Sequence, residues 1–403
     1  MASLGPRFLT QGKVCAKNVL RSPLLSAALP SCTQVANLRS VNNPFPLPPR
    51  KKPFTHRYNI FWQLLDSPIP RMNENSIVVV VEGNIGTGKK ELAKKLAEEF
   101  DLKYIDPIDY DQLYIDKNCM PGFDYRIINS CSPERVMFNS LDTFWATEKV
   151  QENPLILMSQ FEMFHLRWHS YLKALVHICN TGQGVVMPRN VYSDIVFCYA
   201  MMKKKLFPRR VYKEFENYVD NAMKHLWAPH LVIYLDATPA YCLKKIKDRN
   251  MSYEVNSPIL KDEDFLSYIS EGYDKILLPQ LEEESEVLVL DADNLPDFDL
   301  LVEELEQFNF NPFRDSLLRD EKFKQWRHTH ERSWVSFRLW ADSSAADVQA
   351  CPRPATMLQI PEIQLKEEET FVICDYLARM KQYYYNVQPG EGGVAGAVKR
   401  LFV

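Results

Sequence analysis

The segment Gly83-Asn84-Ile85-Gly86-Thr87-Gly88-Lys89-Lys90 has the residue types and the spacing to hold a phosphate. Its glycines let backbone N–H groups converge on an anion, and Lys89 can reach the outer oxygens of a polyphosphate. The pattern G-x-x-x-x-G-K is ordinarily completed by Ser or Thr, whose hydroxyl holds Mg²⁺. Here Lys90 occupies that position. A unit positive charge about 5 Å from a divalent cation, at an effective dielectric of about 20, repels it by several kcal/mol, although a flexible lysine can swing away. The loop is therefore expected to bind phosphate more readily than to support Mg²⁺-dependent phosphoryl transfer, and no metal site is expected.

Such a loop works only between a strand that delivers it and a helix that follows it. Ile77 to Val81 is a short apolar, β-branched run of the kind buried on both faces of a parallel sheet. Behind the loop, Leu92, Leu96 and Phe100 recur every four residues among Lys and Glu, which predicts an amphipathic helix. The alternation continues through Lys103 to Ile105, Gly184 to Met187, Leu231 to Asp236 and Val287 to Asp291. Five strands alternating with helices predict an α/β fold with a doubly wound, five-stranded parallel sheet. A long helix is predicted from Asn153-Pro154 to Asn180-Thr181-Gly182, with a cap and a first-turn proline at one end and glycine at the other.

Composition limits the function. The 403 residues, 46% of them hydrophobic, can bury a large core, and a net charge of -4 gives no whole-molecule basic field for nucleic acid. The nine cysteines, among them Cys119, Cys131, Cys179, Cys198 and Cys242, include no C-x-x-C pair, so free thiols in a reducing compartment are expected. No run approaches the roughly 20 apolar residues of a membrane-spanning helix.

The first acidic side chain is Asp66, preceded by Arg7, Lys13, Lys17, Arg21, Arg39, Arg50, Lys51, Lys52 and Arg57. An acid-free basic leader with serines is the composition of a mitochondrial transit peptide. The expected organisation is a leader over residues 1–40, cleaved between Arg21 and Arg50, and a proline- and aromatic-rich arm over 41–76. A nucleotide-binding domain over 77–309 and a C-terminal extension over 310–403 follow. The aromatic stretch Phe54 to Trp62 needs a surface to lie on, its own or a partner's.

Glu82 with Gly83 to Lys89 resembles the E-G-N-I-G-S-G-K-S loop of the deoxynucleoside kinase family, which implies the P-loop nucleoside-kinase fold. After its second strand that family carries T-E-P-V-E-x-W, whose first Glu is the general base. This chain has Ile105-Asp106-Pro107-Ile108-Asp109-Tyr110-Asp111, so Asp106 keeps a carboxylate one methylene shorter. The family's base-reading glutamine corresponds to Gln160. Of its E-R-S only Arg189 survives in Pro188-Arg189-Asn190, before Val191-Tyr192-Ser193-Asp194. Of the lid R-x-R-x-E-E, Arg249 and Glu254 remain while Met251 and Tyr253 replace charged groups. Phosphoryl transfer rests on positioning and charge stabilisation, so damage to three motifs predicts binding without turnover, with Asp106 and Arg189 vestigial.

The pattern is similar to one branch of that family, accessory subunits of mitochondrial respiratory complex I (NADH:ubiquinone oxidoreductase). That resemblance implies a non-catalytic subunit on the matrix side of the inner membrane, with other complex I subunits as partners and a role in assembly or stability. No cofactor is required, although a nucleoside or nucleotide can occupy the pocket. FAD is implied only by association with the branch, since no dinucleotide G-x-G-x-x-G follows a strand. The alternative is an active mitochondrial deoxynucleoside kinase with Asp106 as base; a third reading is a nucleotide sensor.

The extension carries Trp326, Trp334, Trp340, Phe371 and Tyr383 to Tyr385, broken by Pro352, Pro354, Pro361 and Pro389. Such aromatics serve either as anchors for a larger assembly or as a strap across the chain's own core. His328 and His330 beside Glu331, and Lys203 to Lys205 with Arg209 and Arg210, read as solvated surface.

Overall fold

Four consecutive valines need cover on both faces, and Val78 to Val81 find it at the centre of a parallel sheet, fully buried. The structure, a computed structural model, describes residues 38–42, 51–115, 122–130, 137–138, 140–147, 150–310, 322–326, 331–346 and 360–387. Its sheet contains β1 (Val78–Gly83), β2 (Lys103–Tyr104), β3 (Val185–Pro188), β4 (Leu231–Asp236) and β5 (Glu286–Asp291). They are ordered β2-β3-β1-β4-β5, with every pair parallel. The neighbours of β1 are thus two strands that come later in sequence, which makes its carboxyl end the switch point where open α/β sheets bind ligands.

The long helix runs Pro154–Thr181. Asn153 starts it by accepting from the N–H groups of Leu155 and Ile156 at 2.9 and 3.2 Å. Gly182 ends it at φ +73, where a Cβ would lie 1.9 Å from the Arg71 carbonyl oxygen. Glycine is required there both by backbone conformation and by space.

Leu38 is buried in the core, the Arg39 N–H donates to Asn75 Oδ1 at 2.8 Å, and that of Val41 donates to the Glu99 carbonyl. Residues at the end of the expected leader thus contact the nucleotide-binding domain. Residues 1–37, Pro44 to Pro49, Cys119, Cys131, His328, His330, Pro352, Pro354, Pro389 and the side chains of Tyr383 to Tyr385 lie outside what is described. Among the described residues Cys179, Cys198, Cys242 and Cys374 are free thiols.

The tryptophans of the extension lie on the chain's own core. Trp326 and Trp334 meet Trp227 edge-on at 4.8 and 5.0 Å, Phe337 stacks on it at 3.7 Å, and Trp340 meets Trp168. Trp326 also donates its indole N–H to the Ala228 carbonyl at 2.8 Å. The helix Glu331–Ala346 is therefore a strap over the long helix. Phe371, by contrast, is exposed.

Trp326 covers His230, whose Nδ1 accepts the Val78 N–H at 3.1 Å. Burial lowers the His230 pKa to about 3. The unfolded chain takes up this proton near pH 6.5 and the folded chain does not, so the stabilising contribution is complete above 6.5 and is lost as pH falls below it. Urea titrations at pH 7 and pH 5 are expected to show a loss of stability that is smaller in His230→Gln, whose amide oxygen can accept the same N–H but does not titrate. An equal loss in both proteins would show that His230 is not responsible.

Candidate functional site

The loop leaves β1 at Gly83, which has φ +145, and a Cβ there would lie 2.7 Å from the Leu235 carbonyl oxygen. Only glycine lets the loop pass this close to β4. Asn84 is fixed from below, its amide donating to the Leu266 carbonyl at 2.8 Å, and the Thr87 hydroxyl donates to the Asn84 carbonyl at 3.0 Å. Gly86 and Gly88 both take positive φ, and Gly88 caps the helix Lys89–Glu99 that follows. Ile85 packs against the core. The loop thus has the shape expected of a phosphate cradle.

Its lysine is engaged within the loop. The Lys89 ammonium donates to the carbonyls of Gly83, at 3.1 Å, and Asn84, so the cation meant for a phosphate is satisfied by the cradle itself. Burial, and then the charge of Arg189, lower its pKa to about 8. An anion must draw Lys89 away from these carbonyls, and a bound anion raises its pKa. Affinity for ADP is therefore expected to be flat below pH 8 and to fall above it by up to about tenfold per pH unit. Calorimetric titration across pH 7 to 9.5 reads this slope, and Lys89→Met should abolish it.

Behind the loop lies Glu82, buried, accepting the Asn190 N–H at 3.0 Å and the Tyr273 hydroxyl at 2.8 Å. Burial raises its pKa against the opposing pull of those two bonds. Tyr273 opens a π-helical turn, Tyr273–Leu277, a local widening often found at functional sites.

Asp106 and Arg189, apart in sequence, line one recess with Arg167, Ser170, Met187 and Asn190. Arg189 holds a left-handed backbone, φ +58, which a non-glycine residue adopts at a cost. Arg167 pairs with the buried carboxylate of Asp194, and Arg189 stands 3.9 Å from the same oxygen. Arg189 Nε, Asn190 Nδ2 and Asp194 Oδ2 are buried with no hydrogen-bond partner among the described residues. Polar atoms left this way suit a water or a ligand oxygen. Arg167 and Tyr273 are functional candidates that the sequence reading missed. Arg167 had a signal, because it lies seven residues, two helical turns, after Gln160 on the same face of the long helix. Tyr273 had none, since it meets Glu82 from 191 residues away.

Gln160 is buried on the long helix. The two surviving lid charges do not converge on the loop as free groups: Arg249 Nη2 lies 2.6 Å from Glu254 Oε2, so each satisfies the other. Met251, in the place of a lid arginine, is exposed.

An open cavity of about 510 Å³ lies against Gly86, Thr87 and Gly88, flanked by Tyr241, Lys245 and Phe298. Its size and its aromatic walls fit a mononucleotide. The recess at Asp106 holds about 10 Å³, room for roughly one water. Among the described residues no cluster of His, Cys, Asp and Glu could hold a metal ion.

A glycine-rich loop of the G-x-x-x-x-G-K pattern leaving the central strand of a five-stranded parallel sheet, with a carboxylate and arginines at the strand ends, defines a P-loop nucleoside-kinase fold. Residues 79–310 match the deoxynucleoside kinase family, and the chain belongs to that family. It is 28% identical to the mitochondrial NADH dehydrogenase (ubiquinone) 1 alpha subcomplex subunit 10 of Rattus norvegicus over 258 residues, 63% of this chain and 68% of that protein. The Bos taurus protein of the same name matches at 28% over 246 residues, 60% of this chain and 66% of the relative. The deoxyguanosine kinase of Dictyostelium discoideum matches at 26% over 241 residues, 60% of this chain and 72% of the relative.

Proposed function

We propose that this chain is a non-catalytic accessory subunit of mitochondrial complex I, on the matrix side of the inner membrane. In this reading a kinase fold has been kept for assembly or stability of the NADH dehydrogenase. The observation that carries the loss of catalysis is Lys90, which stands where a hydroxyl would hold Mg²⁺. Similarity to the rat and bovine complex I subunits supports the assembly. The acid-free leader supports import. The cavity beside Gly86 to Gly88 is read as a retained nucleotide site that binds without turnover.

A second reading, an active mitochondrial deoxynucleoside kinase, draws on the recess that unites Asp106 with Arg167 and Arg189, and on similarity to the Dictyostelium enzyme. Native-gel separation of detergent-solubilised mitochondria distinguishes the two. Co-migration of this chain with NADH dehydrogenase activity in a megadalton band is the expected result. Migration as a small free species would overturn the subunit reading and make ATP-dependent phosphorylation of deoxynucleosides the next assay.

A further inference from the structure

The arm contains a short helix, Ile60–Leu65, whose apolar residues face outward. Ile60 is 65% exposed, Phe61 76%, Leu64 87% and Leu65 74%, and Ile69 just beyond is 43% exposed. At 100° per residue the four helical positions fall within an arc of about 140°, one continuous face. Folding has not merely left this face uncovered; it braces the helix at both ends and behind. At the start, the Asn59 side chain caps the helix, and the Tyr58 N–H donates to Asp342 Oδ2 at 3.2 Å. At the end, Asp66 is clamped by Arg71 and Arg338, at 2.8 and 2.7 Å. Behind, Trp62 packs edge-on against Phe54 at 5.2 Å. A buried charge cluster thus fixes an apolar ridge in water, which is unfavourable unless something covers the ridge.

Charge identifies the cover. Lys52 and Arg57, both exposed, precede the helix closely in the chain, and no acidic residue occurs before Asp66, itself buried and paired; the one carboxylate at the helix start, Asp342, is engaged by the Tyr58 N–H. A protein partner would have to answer these cations with acids at the rim of its contact, whereas an anionic bilayer supplies phosphates at the depth of the ridge's edge. A ridge of Phe, Leu and Ile beside exposed Lys and Arg is instead the pattern of a helix lying in a bilayer interface, with side chains among the acyl chains and cations on headgroup phosphates. Among the described residues no helix is long and apolar enough to cross a membrane. We propose that the helix Ile60–Leu65, with Ile69, is a shallow insertion face by which this chain seats directly on an anionic phospholipid bilayer. Lys52 and Arg57 make the headgroup contacts. The inference does not depend on membership of complex I.

The test is co-sedimentation of the full chain with phosphatidylcholine vesicles, with and without phosphatidylglycerol. Binding to the anionic vesicles is expected to exceed binding to neutral ones. Phe61→Asp with Leu64→Asp should cut it by at least about tenfold, since each side chain would otherwise leave water. Lys52→Glu with Arg57→Glu should reduce binding to the level seen on neutral vesicles. All four positions are exposed, so unchanged circular dichroism confirms that each variant has folded. Absence of binding, or binding indifferent to the Phe61 and Leu64 changes, overturns the proposal. So does a concentration-dependent dimer that those changes abolish, which would assign the ridge to a second copy of the chain.

Discussion

Changing Arg338 to alanine is expected to destabilise the protein by about 3–5 kcal/mol, the cost of breaking a buried ion pair from one side. Arg338 has no exposed side-chain surface. Its Nη1 lies 2.7 Å from Asp66 Oδ2, its Nε donates to Asn180 Oδ1 at 2.8 Å, and its guanidinium covers the Tyr58 and Phe54 rings at 3.9 and 4.6 Å. Arg71 completes the cluster with two bonds of 2.8 Å to Asp66. One side chain therefore joins the arm, the C-terminal end of the long helix and the strap. Burial alone would raise the Asp66 pKa, yet the bonds from Arg71, Arg338 and Lys51 hold it well below the usual carboxylate range. A carboxyl whose folded pKa is depressed contributes its full stabilisation above its unfolded pKa of about 3.9, and that contribution is lost as pH falls below it. Arg338→Ala should therefore melt roughly 4–6 °C lower at neutral pH, with the difference narrowing in acid. Limited proteolysis should cut first in the arm near Tyr58. A melting point within about 2 °C of the parent would show that the cluster is not what fastens the two extensions.

What the sequence makes legible here is local. Valine runs, the Asn153-Pro154 cap, Gly182 and the phosphate loop each announce themselves within a few residues, and each lies where its pattern predicts. The strap was legible only as a choice between a partner's surface and the chain's own. Its aromatics report that they need cover but not where the cover lies. The decisive contacts join distant residues, Arg338 to Asp66 across 272 positions and Tyr273 to Glu82 across 191. The loop shows a subtler limit. Its motif specifies the backbone shape, yet whether Lys89 points to a ligand or to the loop's own carbonyls depends on three-dimensional surroundings, including Arg189, that the motif does not contain.

Turnover is the property in which the largest difference from an active deoxynucleoside kinase is expected. Assayed side by side with Mg²⁺-ATP and deoxyguanosine, this chain should work at less than about one thousandth of such an enzyme's rate, because losing even one preorganised charge costs about 10²–10³. Three positions contribute. Lys90 displaces the metal-binding hydroxyl, Met251 replaces a lid arginine, and Asp106 reaches one methylene less far than glutamate. The remaining charges do not compensate, for Arg249 is held by Glu254 and Arg167 by Asp194. Restoring single groups should separate binding from chemistry. Lys90→Ser is expected to let Mg²⁺ strengthen ADP binding by roughly tenfold, since removing an exposed cation recovers only the part of the repulsion that solvent does not already screen. It should leave turnover near background, because the lid still lacks its arginine. Met251→Arg added to Lys90→Ser should raise the rate by a further one to two orders of magnitude, roughly the contribution of one charge at the transferring phosphoryl group. If Lys90→Ser alone reached the rate of the active enzyme, the site would be complete except for its metal, and catalytic loss would come down to a single residue.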